Sequence, residues 1–360
     1  MVTVPPGHRV SRCPRLTRSP GRSGSVSKGK ALEARSFWLT CPGTGEIRTE
    51  RVPDPGPGEV SVRTLHSGVS RGTETLVFQG RVPESQWATM RAPFQDGEFP
   101  APVKYGYLSV GVVEAGVPEL IGKTVFCLYP HQTRYVVPAN AVTVIPDGVP
   151  AARAVLAGTV ETAVNAVWDA APQIGDRITV VGAGMVGSSV AAVLAGLPAT
   201  DVELLDVDPG RASTADQLGV AFAHPDDARG DRDIVIHASA TEAGLHRSLE
   251  LLRAEGTVVE LSWFGDRRIT VGLGENFHSK RLTIRSSQVG GISPTRHRDY
   301  AQRLQVALDL LRDPRFDALT TGHSDFEDLP TVLPALADGT LKALCHVIDH
   351  PAGHPADHPI

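Results

Sequence analysis

One six-residue segment constrains the fold of this chain more than any other feature, and it reads Gly182-Ala183-Gly184-Met185-Val186-Gly187. It follows an apolar strand predicted over Arg177 to Val181 and opens a helix predicted from Met185 to Leu197. In this position the first glycine permits a tight turn, the second lets the backbone approach a pyrophosphate, and the third lets helix and strand pack closely. The free N–H groups at the helix start favour an anion. The segment therefore predicts a dinucleotide-binding turn that includes Met185 and Val186.

Asp206 ends the next predicted strand, which runs from Val202 to Asp206. It lies nineteen residues after Gly187, where a carboxylate accepts hydrogen bonds from the adenosine ribose hydroxyls. Its charge repels a 2′-phosphate, so NAD(H) is favoured as the cofactor. NADP(H) stays open because Arg211 could turn toward a phosphate, although it could equally stack on adenine or be solvated.

Length and charge narrow the class of protein. The 360 residues are enough for two domains, and 35 Lys+Arg against 40 Asp+Glu give a formal net charge of −5. Residues 1–30 carry seven basic residues and no acidic one, which leaves −12 on the rest of the chain. This charge argues against a nucleic-acid partner. We interpret residues 1–30, rich in Arg, Ser, Pro and Gly, as a disordered tail or a misplaced start, with a mitochondrial transit peptide as the alternative.

Neither a membrane span nor a disulfide framework is predicted. The most apolar stretch, residues 178–199, is interrupted by four glycines, as expected of a strand, a turn and a helix. The four cysteines are scattered without a CxxC pair, which favours the reducing cytoplasm.

The pattern along the chain changes near residue 150. From Ser36 to Pro150 short strands are separated by Pro/Gly clusters, which predicts an antiparallel β region. From Ala152 helices and strands alternate, beginning with a helix over Ala152 to Ala170 and including a helix over Ala243 to Arg253 that is followed by a strand over Gly256 to Ser262. This alternation predicts a doubly wound parallel sheet. We expect the His/Pro-rich residues 350–360 to form a disordered, solvated tail without a functional metal site.

Several local motifs match one known superfamily. They are Pro55-Gly56-Pro57-Gly58-Glu59-Val60, Ser67-Gly68-Val69-Ser70-Arg71-Gly72-Thr73-Glu74, Gly106-Tyr107-Leu108-Ser109-Val110-Gly111-Val112-Val113 and the Gly182 segment. In these motifs and in domain order the chain resembles the medium-chain dehydrogenase/reductase superfamily, over residues 31–349. The Gly-Thr-Glu and Gly-Tyr segments look most like the bacteriochlorophyllide dehydrogenase and threonine dehydrogenase-like branch.

The resemblance implies an α/β protein with two domains. A GroES-like, β-rich substrate domain would comprise residues 31–160 and 295–349, and a Rossmann domain would comprise residues 161–294. A homodimer joined through the edge of the Rossmann sheet is also a family expectation.

The chain departs from the family at its zinc site. The family's catalytic ligands correspond to Ser70, to Tyr107 with Leu108, and to Gly158, and none of these side chains is a good zinc ligand beside thiolate and imidazole. The four closely spaced cysteines of the family's structural zinc are absent as well. We therefore predict no zinc.

Without zinc, another group must supply a proton to a carbonyl oxygen. Tyr107 is the first candidate, because it stands where a zinc-ligating histidine would point into the site. Lys104 could lower the pKa of that phenol or stabilise an oxyanion, and His131 is a second candidate donor because the family's corresponding loop borders the substrate cleft. Ser70 could orient substrate or relay a proton, as could Thr73. For Tyr107, Lys104 and His131, an ordinary role in packing or solvation remains the alternative.

Further residues take cofactor roles through the resemblance. Arg71 corresponds to a basic residue that many relatives keep on the pyrophosphate, and Thr162 to a position against the nicotinamide. Glu74 and Glu161 either lie in the cleft or pair with Arg71.

Two aromatic residues and two histidines are given no role in catalysis or cofactor binding. We expect Trp263 and Phe264 to pack in the core, and we assign nothing to His237 or His278.

These observations predict a zinc-independent, NAD(P)-dependent oxidoreductase that transfers hydride between nicotinamide and a carbonyl or alcohol carbon of a small molecule. A sugar-like compound and a secondary metabolite are both open as substrates. The first alternative is an enone reductase like the quinone reductases, and the second is a non-catalytic dinucleotide-binding protein.

Overall fold

A computed structural model describes residues 32–292 and 296–351. The predicted basic tail and the last nine residues lie outside the described part. None of the helices in the described ranges combines the length and apolar character needed to cross a bilayer.

The second half of the chain contains a six-stranded sheet with all strands parallel. Its strands are β10 (Arg177–Val181), β11 (Asp201–Leu205), β12 (Ala221–Ala223), β13 (Arg232–His237), β14 (Leu252–Glu260) and β15 (Thr283–Ser286). The spatial order is β12-β11-β10-β13-β14-β15. This is the doubly wound order of a Rossmann domain, in which the chain reverses direction across the sheet between β10 and β13.

Helices connect and cover these strands and also complete the rest of the fold. They are α1 (Arg71–Phe78), α2 (Ala151–Ala154), α3 (Ala157–Ala170), α4 (Met185–Ala195), α5 (Ala212–Gln217), α6 (Glu242–Glu250), α7 (Asn276–Ser279), α8 (Tyr300–Leu310) and α9 (Leu329–Asp338). Short 3₁₀ helices occur at Glu84–Gln86, Pro118–Leu120, Ala139–Ala141, Pro209–Arg211, Pro225–Asp227, Pro314–Leu319 and Phe326–Asp328.

Two further sheets form the β-rich part. The smaller is antiparallel, in the order β2-β1-β5-β4, and consists of β1 (Leu32–Cys41), β2 (Thr44–Val52), β4 (Asp96–Gly97) and β5 (Val103–Lys104). The larger has seven strands in the order β16-β17-β3-β6-β7-β9, with β8 also paired to β3. Its strands are β3 (Glu59–Ser70), β6 (Ser109–Gly116), β7 (Thr124–Cys127), β8 (Arg134–Pro138), β9 (Val142–Val144), β16 (Thr320–Asp325) and β17 (Cys345–Asp349). Only the β16–β17 pair of this sheet is parallel among the described strands.

The largest hydrophobic cluster joins the two parts of the molecule. It includes Leu108 and Phe126 from the β-rich part together with Ile178 and Met185 from the Rossmann part. Helix α3 contributes five residues to this cluster: Ala157, Val160, Ala163, Ala166 and Val167. The domain boundary expected between residues 160 and 161 therefore falls inside a helix that belongs to the shared core.

Three expectations about elements need correction. The helix predicted over Ala152 to Ala170 is interrupted between α2 and α3. The helix predicted through Arg253 ends at Glu250, and β14 begins at Leu252, before the expected Gly256. Residue 350 was expected in the solvated tail, but the His350 backbone N–H donates to Leu65 O at 3.0 Å and its ring lies 4.7 Å from the Phe326 ring.

Candidate active site

The glycine segment forms the turn that the sequence predicts, between β10 and α4. Gly182 has φ +106°, and a Cβ there would lie 2.7 Å from the backbone N and Cα of Ser239. A Cβ on Gly187 would lie 1.9 Å from the carbonyl oxygen of Gly182. Both positions therefore require glycine for the local backbone itself, whatever binds there. We call residues 182–187 the dinucleotide turn.

The middle of the turn is open to a ligand. Gly184 is exposed, and no atom lies within 4 Å of where its Cβ would be. Met185 is buried, and its sulfur accepts a hydrogen bond from Thr159 Oγ1 at 3.6 Å. Val186 is partly buried against the shared core. Gly184 thus offers backbone surface to a ligand, whereas Met185 and Val186 hold the helix start in place.

Asp206 lies beside this turn, immediately after β11. Its Oδ2 accepts from the Ala183 backbone N–H at 2.8 Å and its Oδ1 accepts from the Asp208 N–H at 2.9 Å. The carboxylate keeps lone pairs free to accept further hydrogen bonds. Arg211 Nε lies 3.6 Å from Asp208 Oδ2, so this guanidinium is drawn toward Asp208.

Tyr107 lies where the two parts of the molecule meet. Its partly buried ring packs against the shared core and also against a second cluster from the β-rich part. Burial raises the pKa of Tyr107 to about 12; the Glu74 carboxylate adds to the rise, and hydrogen bonds with Ser70 and Thr73 offset part of it. The phenol is therefore a protonated donor at neutral pH.

A buried acid–histidine pair lies behind this phenol. Glu74 Oε2 is 2.9 Å from His131 Nε2, and both side chains are at most 3% exposed. Glu74 Oε1 accepts from the Ser70 backbone N–H at 2.7 Å, while His131 Nδ1 is 2.7 Å from Ser67 Oγ. Ser67 Oγ is also 2.9 Å from His350 Nε2. We call Tyr107, Ser70, Thr73, Glu74 and His131 the Tyr107 cluster.

Lys104 does not belong to this cluster, and the expectation that it lowers the pKa of Tyr107 is wrong. Its Nζ donates to Glu50 Oε2 at 2.9 Å and to Gln132 Oε1 at 2.8 Å. The ammonium also lies over the Trp38 ring, 5.5 Å from its centroid. The charge of Lys104 is therefore neutralised within the small sheet.

The remaining predicted residues are distributed around the cluster. Ser70 ends β3 and precedes α1, whose first residue, Arg71, is exposed. The Arg71 side chain has no hydrogen-bond or ionic partner among the described residues, which leaves it available to an anion. Thr162 donates from Oγ1 to Gly158 O at 3.0 Å within α3. Glu161 pairs with Arg303 at 3.0 Å.

The residues present here do not fit a zinc ion. A Cβ on Gly158 would lie 2.6 Å from Leu108 Cδ2, so hydrocarbon fills the space that a ligand at this position would need. Glu74 and His131 already bind each other and their neighbours. No group of three or more His, Cys, Asp or Glu side chains within residues 32–292 and 296–351 is arranged to hold a metal ion.

Sequence reasoning missed a polar chain at the end of the parallel sheet. His237 ends β13 and is fully buried, with Nδ1 2.7 Å from Glu260 Oε2 and Nε2 2.7 Å from Ser239 Oγ. Ligands of doubly wound sheets bind at the carboxyl ends of the strands, and that rule could have drawn attention to His237 and Glu260. The Phe264 ring stacks 6.2 Å from the His237 ring, and Trp263 packs against the core of the β-rich part, so both aromatic residues have packing roles.

Solved structures of other proteins share this fold, although sequence comparison finds no relative. No family model and no curated protein sequence matches the chain. Among solved structures, 2R,3R-butanediol dehydrogenase from Bacillus subtilis is 17% identical with a TM-score of 0.72, covering 89% of this chain and 100% of that one. L-idonate 5-dehydrogenase from Escherichia coli is 16% identical with a TM-score of 0.73, covering 88% and 98%. Acetophenone reductase from Geotrichum candidum, solved in complex with NAD, is 19% identical with a TM-score of 0.71, covering 89% and 98%. The chain therefore has the same two-domain α/β fold as these two dehydrogenases and this reductase.

Proposed function

We propose that this protein is an NAD(H)-dependent oxidoreductase that transfers hydride between nicotinamide and a carbonyl or alcohol carbon of a small molecule. The observation that carries the proposal is the presence of a dinucleotide turn and a protonated, hydroxyl-bonded phenol, Tyr107, in one fold whose two parts share a core. The similarity to alcohol, polyol and ketone oxidoreductases supports the same reaction class.

The preference for NAD(H) rests on the charge beside the turn. The Asp206 carboxylate is held at the turn by two backbone N–H groups, where it would accept from ribose hydroxyls and repel a 2′-phosphate. Arg211, the residue that kept NADP(H) open, lies against Asp208. Arg71, exposed and unpaired among the described residues, would bind the pyrophosphate.

Bound cofactor supplies the hydride, and the protein supplies the proton and the positions of the reacting groups. Tyr107 would donate its phenolic proton to the substrate oxygen, where negative charge develops. The Ser70 and Thr73 hydroxyls hold the phenol in place. Zinc has no role in this proposal, because the residues at the family's metal position do not fit it.

His131 acts in this proposal as a positioning residue. Both of its ring nitrogens are occupied, one by Glu74 and one by Ser67, and the side chain is 2% exposed. A substrate oxygen has no free imidazole nitrogen to approach. His131 would therefore fix Glu74, which in turn holds the backbone of Ser70.

Three further features complete the proposal. The exposed edge strand β15, with all four residues open to solvent, offers a surface for a homodimer. Cys127 and Cys345 are buried thiols that form no disulfide, which favours the cytoplasm. The proposed substrate is a small carbonyl or alcohol compound, either sugar-like or a secondary metabolite.

Deuteride transfer tests the reaction. The protein is incubated with NADH deuterated at either face of C4, and then with the matching NADPH, together with panels of small ketones and enones. Deuterium on a carbinol carbon supports the proposal, whereas deuterium β to a carbonyl indicates an enone reductase. Confirmed NADH binding without transfer to the ketones or to a small-molecule extract of the source cells overturns it in favour of a non-catalytic protein.

A further inference from the structure

A continuous chain of hydrogen-bonded side chains runs from Glu260, at the end of β14, to the surface beside the dinucleotide turn. Glu260 Oε2 is 2.7 Å from His237 Nδ1, His237 Nε2 is 2.7 Å from Ser239 Oγ, and Ser239 Oγ is 2.9 Å from Thr241 Oγ1. His237 is fully buried, Glu260 and Ser239 are partly buried, and Thr241 is exposed. We call these four residues the Ser239 chain.

The hydrogen-bond directions in this chain follow from its ends. Because Glu260 is a carboxylate acceptor, His237 Nδ1 carries the hydrogen and Nε2 is left to accept from the Ser239 hydroxyl. Thr241 Oγ1 accepts from the Gly244 backbone N–H at 3.0 Å, so its own hydroxyl hydrogen is free to donate to Ser239 Oγ. With one hydrogen given and one received, Ser239 Oγ keeps a single lone pair for a ligand, and the ligand group must be a donor.

The surroundings hold this arrangement rigid. Glu260 Oε1 accepts from the Ser262 backbone N–H at 2.7 Å, and Ser262 Oγ accepts from the Ala240 N–H at 3.1 Å. The two loops that follow β13 and β14 are thereby tied together. Ser262 Oγ also lies 3.4 Å from His237 Nδ1.

The position of Ser239 in the sheet identifies the part of the ligand that it faces. In the order β12-β11-β10-β13-β14-β15, the first nucleotide half lies over β10, β11 and β12, and the second lies over β13, β14 and β15. Asp206 serves the first half because it follows β11. Ser239 follows β13, and its backbone closely adjoins Gly182 of the dinucleotide turn. The sugar attached to the pyrophosphate is nearer to this turn than the base is.

We propose that Ser239 Oγ accepts a hydrogen bond from a hydroxyl of the second, nicotinamide-side ribose, with His237 and Glu260 as positioning residues that fix the Ser239 hydroxyl. This inference rests on the proposed function, because it requires a dinucleotide at the turn. It assigns the second ribose to a side-chain site on β13 and β14.

Comparison of two ligands tests the proposal. ADP contains only the first nucleoside and its two phosphates, whereas NADH adds the second ribose. In calorimetric titrations, Ser239→Ala is expected to weaken NADH binding by about 5- to 10-fold, as for one lost hydrogen bond, and to leave ADP binding unchanged. Glu260→Gln is expected to weaken NADH binding less and again to spare ADP. Ser279→Ala, which removes an exposed hydroxyl of α7, is the matched control and should change neither.

An NADH analogue that lacks hydroxyls on the nicotinamide-side ribose isolates the contact. Wild-type protein should bind this analogue as weakly as Ser239→Ala binds NADH. Ser239→Ala should bind the analogue no more weakly than wild type does, because the contact is already lost. The assignment would be overturned if Ser239→Ala weakened the binding of ADP and of NADH equally. It would also be overturned if the affinity losses from Ser239→Ala and from the missing ribose hydroxyls added in full. Failure of wild-type protein to bind ADP would instead refute the dinucleotide site, so the two proposals fail in distinguishable ways.

Discussion

The dinucleotide turn and the Tyr107 cluster are assembled differently. The turn comes from six consecutive residues, and its two constrained glycines are required by their own backbone and by nearby backbone atoms. The cluster joins β3, α1, the segment before β6 and the loop before β8, and its central contact, Glu74 to His131, spans 57 residues. Local geometry therefore determines the turn, whereas strand pairing and burial determine the cluster.

We expect a glycine of the turn to tolerate substitution by alanine only where no atom lies close to the added Cβ. Gly187→Ala places a Cβ 1.9 Å from a carbonyl oxygen, so we expect no measurable NADH binding and a loss of about 1–3 kcal/mol in the free energy of unfolding. Gly184→Ala, with nothing within 4 Å, is the matched substitution and should keep wild-type stability. Calorimetry and urea unfolding measure both effects. Equal stability of the two variants would contradict the role given to Gly187.

The cluster is expected to depend on its buried charge. Glu74→Gln removes the carboxylate that binds His131 and the Ser70 backbone, and we expect the free energy of unfolding to fall by about 1.5–3 kcal/mol. Because Glu74 contributes to the raised pKa of Tyr107, the same variant should titrate that phenol at lower pH.

The Tyr107 phenol is isolated by titrating the Glu74→Gln variant with ultraviolet difference spectroscopy. The reference is the double variant that carries both Glu74→Gln and Tyr107→Phe. Glu46→Gln, an exposed carboxylate in β2, is the control and should leave stability and the Tyr107 titration unchanged. An unaltered pKa of Tyr107 in Glu74→Gln would show that the carboxylate does not act on it.

A smaller effect is expected at the edge of the turn. Asp206→Asn keeps an acceptor for the Ala183 N–H but removes the negative charge, so the preference for NADH over NADPH should fall by about 10-fold. Asp216→Asn removes an exposed charge on α5 and serves as the control. The ratio of the two dissociation constants measures the effect, and an unchanged ratio would assign cofactor selection to other residues.

The smallest expected effect is the response to pH. The Tyr107 phenol is protonated below its pKa of about 12, so the proton donor is lost only as the pH rises toward that value. The rate of carbonyl reduction in single-turnover experiments should therefore show no basic limb from Tyr107 between about pH 7 and pH 10. A basic limb near pH 8 that disappears in Tyr107→Phe would contradict this assignment.

The same difference explains what could be predicted from the sequence. β10 was predicted with its observed bounds, and the turn between it and α4 was predicted at residues 182–187, because an apolar run and glycine spacing are local signals. β2 was missed because its residues are mostly polar and only one of them, Val52, is buried. The start of β14 was placed too late because Arg253, Ala254 and Glu255 are exposed and fit a helix equally well.

The chemistry of individual side chains was harder to predict than the fold. Tyr107 and His131 were singled out through the family resemblance, but the partners of His131 come from β3 and α1, which no spacing rule connects to it. Lys104 lies three residues from Tyr107, yet its ammonium pairs with Glu50 of β2, and the turn of the chain at Gly106, where φ is +132°, has no signal in the spacing. His237 was passed over because its partners, Ser239 and Glu260, carry no metal-ligand spacing.

Single-turnover reduction tests whether Tyr107 donates the proton to the substrate without help from zinc. Protein dialysed against a chelator is mixed with deuterated NADH and a ketone identified by the transfer experiment. Wild type is compared with Tyr107→Phe and with Tyr105→Phe, which removes a phenol whose ring lies edge-on, 6.0 Å from the Tyr107 ring. We expect metal-depleted wild type and Tyr105→Phe to transfer deuteride at the same rate as untreated protein, and Tyr107→Phe to be slower by about 100-fold or more with unchanged NADH affinity. Loss of activity on chelation with recovery on adding zinc, or an undiminished rate in Tyr107→Phe, would contradict this expectation.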